Sequence, residues 1–121
     1  MTALAEALRR VGQRVPHARA LSVVGTDGIL VESWRTPGEG ISIEAVAAEA
    51  GRLLKAAASA GEPAGSREVR EVATVTDRTI TILSRVTAEY YLLLLLARDG
   101  SLGRGRFELA RAAGALEKEL I

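Results

Sequence analysis

Residues 90–97, Tyr-Tyr-Leu-Leu-Leu-Leu-Leu-Ala, constrain the fold more than any other stretch of this 121-residue chain. A strand presents alternate side chains to opposite faces, so a strand that is apolar at both parities is interior to its sheet and covered on both sides. Leucines alone would suit a helix equally well. The Asp99-Gly100 break just beyond the run, the paired tyrosines and the alternating neighbour favour a strand. The run is also far shorter than the ~20 residues that a membrane-spanning helix requires. Helices must therefore lie on each face of the sheet that holds it.

The rest of the chain supplies them. Leu4, Leu8, Val11 and Val15 recur at the helical period, with Thr2 as N-cap and Pro16 as terminator. Ala20 to Val24 and Ile29 to Ser33 read as a hairpin around Gly25-Thr26-Asp27-Gly28, since an Asp-Gly pair supplies the positive φ of a tight turn. A second helix is expected from about Ile43 to Ala60, capped by Ser42 and stapled by Ile41 and Val46. Glu68 to Thr76 and Thr79 to Val86 alternate as strands around Thr76-Asp77-Arg78. Leu102, Leu109, Ala113, Leu116 and Leu120 form the stripe of a last helix capped by Ser101. The order is helix, two strands, helix, three strands, helix, forming one α+β domain over residues 1–121.

The second helix has more apolar surface than a sheet needs. Ile43, Val46, Ala50, Leu53, Leu54 and Ala57 make one stripe, and Ala47, Gly51 and Ala58 a small-residue stripe beside it. A mid-helix glycine costs about 1 kcal/mol against alanine, which is better tolerated where another backbone comes close. That backbone is expected to belong to a neighbouring molecule. The strand from Glu68 follows a loop, reads as a sheet edge, and places Val69, Glu71, Ala73 and Val75 on one side. Ala47, Gly51, Leu54 and Ala58 with Val69, Glu71, Ala73 and Val75 therefore form the expected seam of a symmetric homodimer.

Several functions are excluded. Net charge is +1 with no run of like charge, and aromatic residues are 3%, so neither the electrostatic footprint nor the stacking platform of a nucleic-acid binder is present. There is no cysteine, hence no disulfide framework or thiolate metal site. Glu6 and Arg9-Arg10 interrupt the N-terminal apolar stretch, which is wrong for a signal peptide, and a cytoplasmic protein without membrane insertion is expected.

No catalytic, metal or cofactor residue is expected. His17, the only histidine, follows a helix-ending proline and reads as an exposed loop residue. Glu68 and Glu71 fall on opposite faces of their strand and make no acid–base pair. Gly100-Ser101-Leu102-Gly103-Arg104-Gly105-Arg106 lies between strand and helix, where backbone amides can cradle phosphate. It lacks the Gly-Lys-Ser/Thr ending of a P-loop and the βαβ setting of a dinucleotide site. A nucleotide-binding module built on this segment is the least favoured reading.

The element order, the hairpin Val23-Val24-Gly25-Thr26-Asp27-Gly28-Ile29-Leu30-Val31, the leucine-rich strand, the Asp99-Gly100-Ser101-Leu102-Gly103 turn and the final amphipathic helix resemble the roadblock/dynein light chain family, especially its bacterial MglB-like members. The resemblance covers nearly the whole chain. It implies a profilin-like sandwich with a five-stranded antiparallel sheet of order 2-1-5-4-3, one helix on one face and two on the other. It also implies dimerisation through the third strand and second helix.

Members of that family bind small Ras-like GTPases, and MglB activates its MglA partner by remodelling switch regions without donating a catalytic side chain. Carried over by position, the GTPase contact falls on Glu44, Ala48, Arg52, Lys55 and Ser59. The sequence stops with the last helix where MglB continues into a tail, so an activity needing that extension is not expected. The alternative is a light-chain-like scaffold dimer that tethers other proteins.

Overall fold

A computed structural model describes residues 2–120. The elements follow the order α1 (Ala3–Arg14), β1 (Ala18–Gly25), β2 (Leu30–Arg35), α2 (Ile43–Gly61), a 3-10 turn (Glu62–Ala64), β3 (Glu71–Val75), β4 (Thr79–Arg85), β5 (Tyr90–Ala97) and α3 (Leu102–Glu117). The five strands form one sheet of order β2-β1-β5-β4-β3, with every neighbouring pair antiparallel.

β5 is central, and its parity divides the core. Leu92, Leu94 and Leu96 join Leu21, Val23, Ile80 and Ile82 beneath α1 and α3, together with Leu8, Leu109 and Leu116. Tyr91, Leu93 and Leu95 join Ala20, Val24 and Leu83 beneath α2, together with Ile43, Ala47, Ala50 and Leu54. The both-parity reading of this strand is thus realised as two separate apolar clusters, one on each face.

Local signals account for the helix ends. The Thr2 hydroxyl accepts from the Ala5 amide at 3.0 Å, that of Ser42 from Ala45 at 3.3 Å, and that of Ser101 from Arg104 at 3.1 Å. Each satisfies an amide that the first helical turn leaves without a partner. In the β1–β2 turn Gly28 has φ +83°, and the Asp27 carboxylate accepts from the Ile29 amide at 3.0 Å.

Two expectations are corrected. The third strand begins at Glu71 rather than Glu68. The chain before it leaves the ladder, and the Tyr91 hydroxyl donates to the Val69 carbonyl instead. Val69 therefore packs on the α2 side with Val72, whereas Glu71, Ala73 and Val75 pair with Ser84, Ile82 and Ile80 and share the opposite face. Likewise Gly100 to Arg106 is not a loop, because residues from Leu102 onward are helical. Gly105 is buried there, and a Cβ on it would lie 2.7 Å from Ile82 Cδ1. The glycine lets α3 settle on the sheet.

Candidate protein-docking surface

The close backbone contact foreshadowed by Gly51 is made within the chain. A Cβ on Gly51 would lie 2.9 Å from both the Cα and the amide nitrogen of Gly28, and one on Gly28 would lie 3.2 Å from the Ala47 carbonyl and Ala48 Cα. Two glycines thus allow the hairpin turn and α2 to meet backbone to backbone. Ala47, Gly51 and Leu54, expected at a dimer seam, are buried in this chain's own packing. Ala58 is half-buried, as is Val69.

The flank of α2 turned toward β4 is the one left open. Val46 and Leu53, both half-buried, line a groove of about 290 Å3 with Ala45, Glu49, Ala50 and Thr81. Beyond it β3 forms the sheet edge, with Ala73 exposed and Val75 64% exposed. Glu71, the third seam residue on this strand, pairs its carboxylate with Arg106 of α3, whose Nε donates at 2.9 Å. Val46 and Leu53 stand seven positions apart on the apolar stripe, so their shared face was legible. What the sequence did not disclose was that the small-residue stripe would be consumed by the hairpin turn.

Glu44, Ala48, Arg52, Lys55 and Ser59 are all exposed along the outer surface of α2. Arg52 lies 3.8 Å from Glu49. Near the end of this helix Arg67 pairs with Glu62 at 2.5 Å. His17 is exposed with φ +66°, and its carbonyl accepts from the Ala97 amide at 2.9 Å. Among the described residues no group of three or more His, Cys, Asp or Glu could hold a metal, and no helix is long and apolar enough to cross a membrane.

A buried carboxylate lies on the other face. Glu108 is 2% exposed on α3, accepting from Arg111 Nη1 at 3.3 Å, with Arg14 Nε at 3.8 Å and Arg104 Nε at 4.0 Å. Among the described residues its Oε2 accepts no hydrogen bond, so the link from the end of α1 to α3 is a charge contact only. The arginines of the glycine-rich segment are therefore engaged, Arg104 beside Glu108 and Arg106 with Glu71. Arg104 and Arg111 stand at helical spacing from Glu108 and were open to sequence reading, whereas only the fold brings Arg14 to it.

The topology defines the class: an α+β sandwich of the kind shared by roadblock domains and profilins. The chain belongs to the Roadblock/LC7 domain family, whose sequence pattern matches residues 4–97. Among solved structures, a Roadblock/LC7 domain from Streptomyces avermitilis is similar at 24% identity, covering 98% of both chains, with a TM-score of 0.85. MglC from Myxococcus xanthus is 28% identical over 98% of this chain and 99% of its own, with a TM-score of 0.70. An MglB with a tetrameric arrangement is 16% identical over 98% of this chain and 90% of its own, with a TM-score of 0.87. No curated protein sequence matches the chain.

Proposed function

We propose that the protein is a cytoplasmic homodimeric regulator of a small Ras-like GTPase of the MglA type, acting by surface contact rather than through a catalytic side chain of its own. The supporting observation is the open groove between α2 and β4, which runs beside the bare edge of β3. A second copy that pairs β3 with β3 would extend the sheet and bring the Val46–Leu53 flanks together, removing apolar surface from water at roughly 25 cal/mol per Å2. Ala73 and Val75 would join that seam, with Ala58 and Val69 at its margin. The outer surfaces of both α2 helices, carrying Glu44, Ala48, Arg52, Lys55 and Ser59, would then form one continuous platform for the GTPase. The tetrameric MglB is in keeping with a fold that self-associates.

Two measurements test this reading. Sedimentation at micromolar concentration should give twice the 12.8 kDa chain mass, and Val75→Glu with Leu53→Glu should return it to the monomer. A GTPase encoded beside this protein should hydrolyse GTP at a changed rate on its addition, and Arg52→Glu with Lys55→Glu should remove that change without altering the mass. A dimer that leaves binding and hydrolysis untouched would favour the tethering scaffold. A monomer would end both readings.

A further inference from the structure

Beside the second half of α2, at the margin of the seam just described, lies a cavity of about 350 Å3. Its apolar lining comes from Leu54 and Ala58 of α2, Val69 ahead of β3 and Tyr91 of β5. Lys55, Arg67 and Arg85 supply three positive charges and Glu68 one negative. Arg67 is paired with Glu62 and Arg85 with Glu68, so among the described residues the unpaired charge on this oily lining is the Lys55 ammonium.

The walls are fixed in advance of any ligand. Tyr91, 5% exposed, donates its hydroxyl to the Val69 carbonyl and pins the segment that leaves the ladder. The Arg85 amide donates to the Arg70 carbonyl at 3.0 Å, and the Arg85 guanidinium pairs with Glu68 and donates from Nε to the Thr87 carbonyl at 3.3 Å. A preformed site loses little ordering entropy when it is filled. Lys55 makes no ion pair among the described residues.

We propose that this cavity binds a carboxylate carried on a short apolar stem, with Lys55 and Arg85 receiving the anion and Leu54, Ala58, Val69 and Tyr91 holding the stem. Arg85 Nε is committed to the Thr87 carbonyl and Nη1 to Glu68, so Nη2 is the donor left for a carboxylate oxygen beside the Lys55 ammonium. The apolar lining selects an organic acid over inorganic phosphate, whose full hydration shell would be lost against it. The volume is at the lower end for small-molecule sites and accommodates a branched short-chain acid or one acidic side chain of a protein partner. Both sources present the same chemistry.

The test uses the isotope-labelled full chain alone, so it stands or falls separately from the GTPase reading. Backbone amide spectra are recorded during titration with 4-methylpentanoate, with its neutral counterpart 4-methylpentanamide, and with acetyl-Ala-Ala-Glu-Ala-Ala-amide against its glutamine analogue. Saturable shifts centred on Lys55, Ala58, Val69 and Arg85 are expected from an acidic probe and not from its neutral twin. Response to the free acid alone assigns the site to small organic acids, and response to the peptide assigns it to an acidic side chain of a partner. Lys55→Gln should weaken binding about twofold to fivefold. Ala58→Phe should abolish binding by filling the cavity. The proposal is overturned by the absence of localised shifts up to about 10 mM probe, by equal binding of acid and amide, or by unchanged affinity in Lys55→Gln.

Discussion

The two faces of the sheet are covered unequally. Five strands spaced about 4.8 Å apart span about 19 Å between the outermost axes, while a helix with its side chains is about 10–12 Å wide. Two helices can roof such a sheet and one cannot. The α1/α3 layer spans its face, with the charge contact of Glu108 and Arg14 across it. The α2 layer is a single helix, and it leaves the groove at Val46, Leu53 and Thr81 beside the open edge. The contrast places internal stability with the paired helices and surface available to partners with the solitary one.

The largest effects should come from deleting core side chains on the two faces in turn. Leu94→Ala and Leu93→Ala each remove a fully buried leucine of β5, one beneath α1 and α3 and the other beneath α2. Both should fall within the roughly 2–5 kcal/mol seen for such truncations. Leu94→Ala should be the costlier, because two bridged helices collapse into a cavity less readily than one. Urea denaturation of the two variants checks this, and equal losses would break the comparison.

Next in size is the contact between α2 and the hairpin turn. Gly51→Ala should destabilise by about 1–3 kcal/mol despite alanine's better helix propensity, because the new methyl meets backbone that cannot rotate aside. Gly114→Ala on α3 is the matched control. Nothing lies within 4 Å of its added Cβ, so it should gain up to about 1 kcal/mol in the same assay.

Tyr91→Phe should cost about 1–2 kcal/mol by leaving the Val69 carbonyl without its donor. Burial raises the Tyr91 hydroxyl above its ordinary pKa, against a smaller opposing pull from Arg85 and with a further upward push from Glu68. Its contribution is therefore complete below the unfolded value near pH 10 and declines as pH rises through the folded one. Alkaline denaturation should show this decline in the native chain and not in Tyr91→Phe.

The smallest effect concerns the bidentate pair between Arg19 and Glu39, with Nε–Oε2 at 2.9 Å and Nη2–Oε1 at 2.6 Å. Arg19→Ala should cost about 1 kcal/mol or less. The hydrogen bond from Arg19 holds the Glu39 carboxyl below its ordinary range. This contribution is present above the unfolded carboxylate value near pH 4.3 and is lost as pH falls through the lowered folded one. The stability difference between native chain and variant should thus disappear in acid.

How much of this the sequence disclosed depends on whether a feature is local. The helix caps at Thr2, Ser42 and Ser101 and the Asp27-Gly28 turn each depend on a few consecutive residues, and all were readable. The span of β5 and its two-sided burial were readable because parity is a one-dimensional property. The strand order rested on family resemblance. The start of β3 was misplaced because Val69 gives up its ladder position to the hydroxyl of a residue far along the chain. Gly51 rightly signalled a close backbone, yet no one-dimensional pattern distinguishes this chain's hairpin from a second molecule. The same holds for Glu108, whose arginines come partly from α1.

The Gly28–Gly51 contact also has a mechanical consequence. Where two main chains touch with no side chain between them, there is nothing soft to absorb a push. A shift of the β1–β2 turn toward α2 would meet main chain at once, with no rotamer able to make room. The resting positions of hairpin and helix are thereby tied to each other.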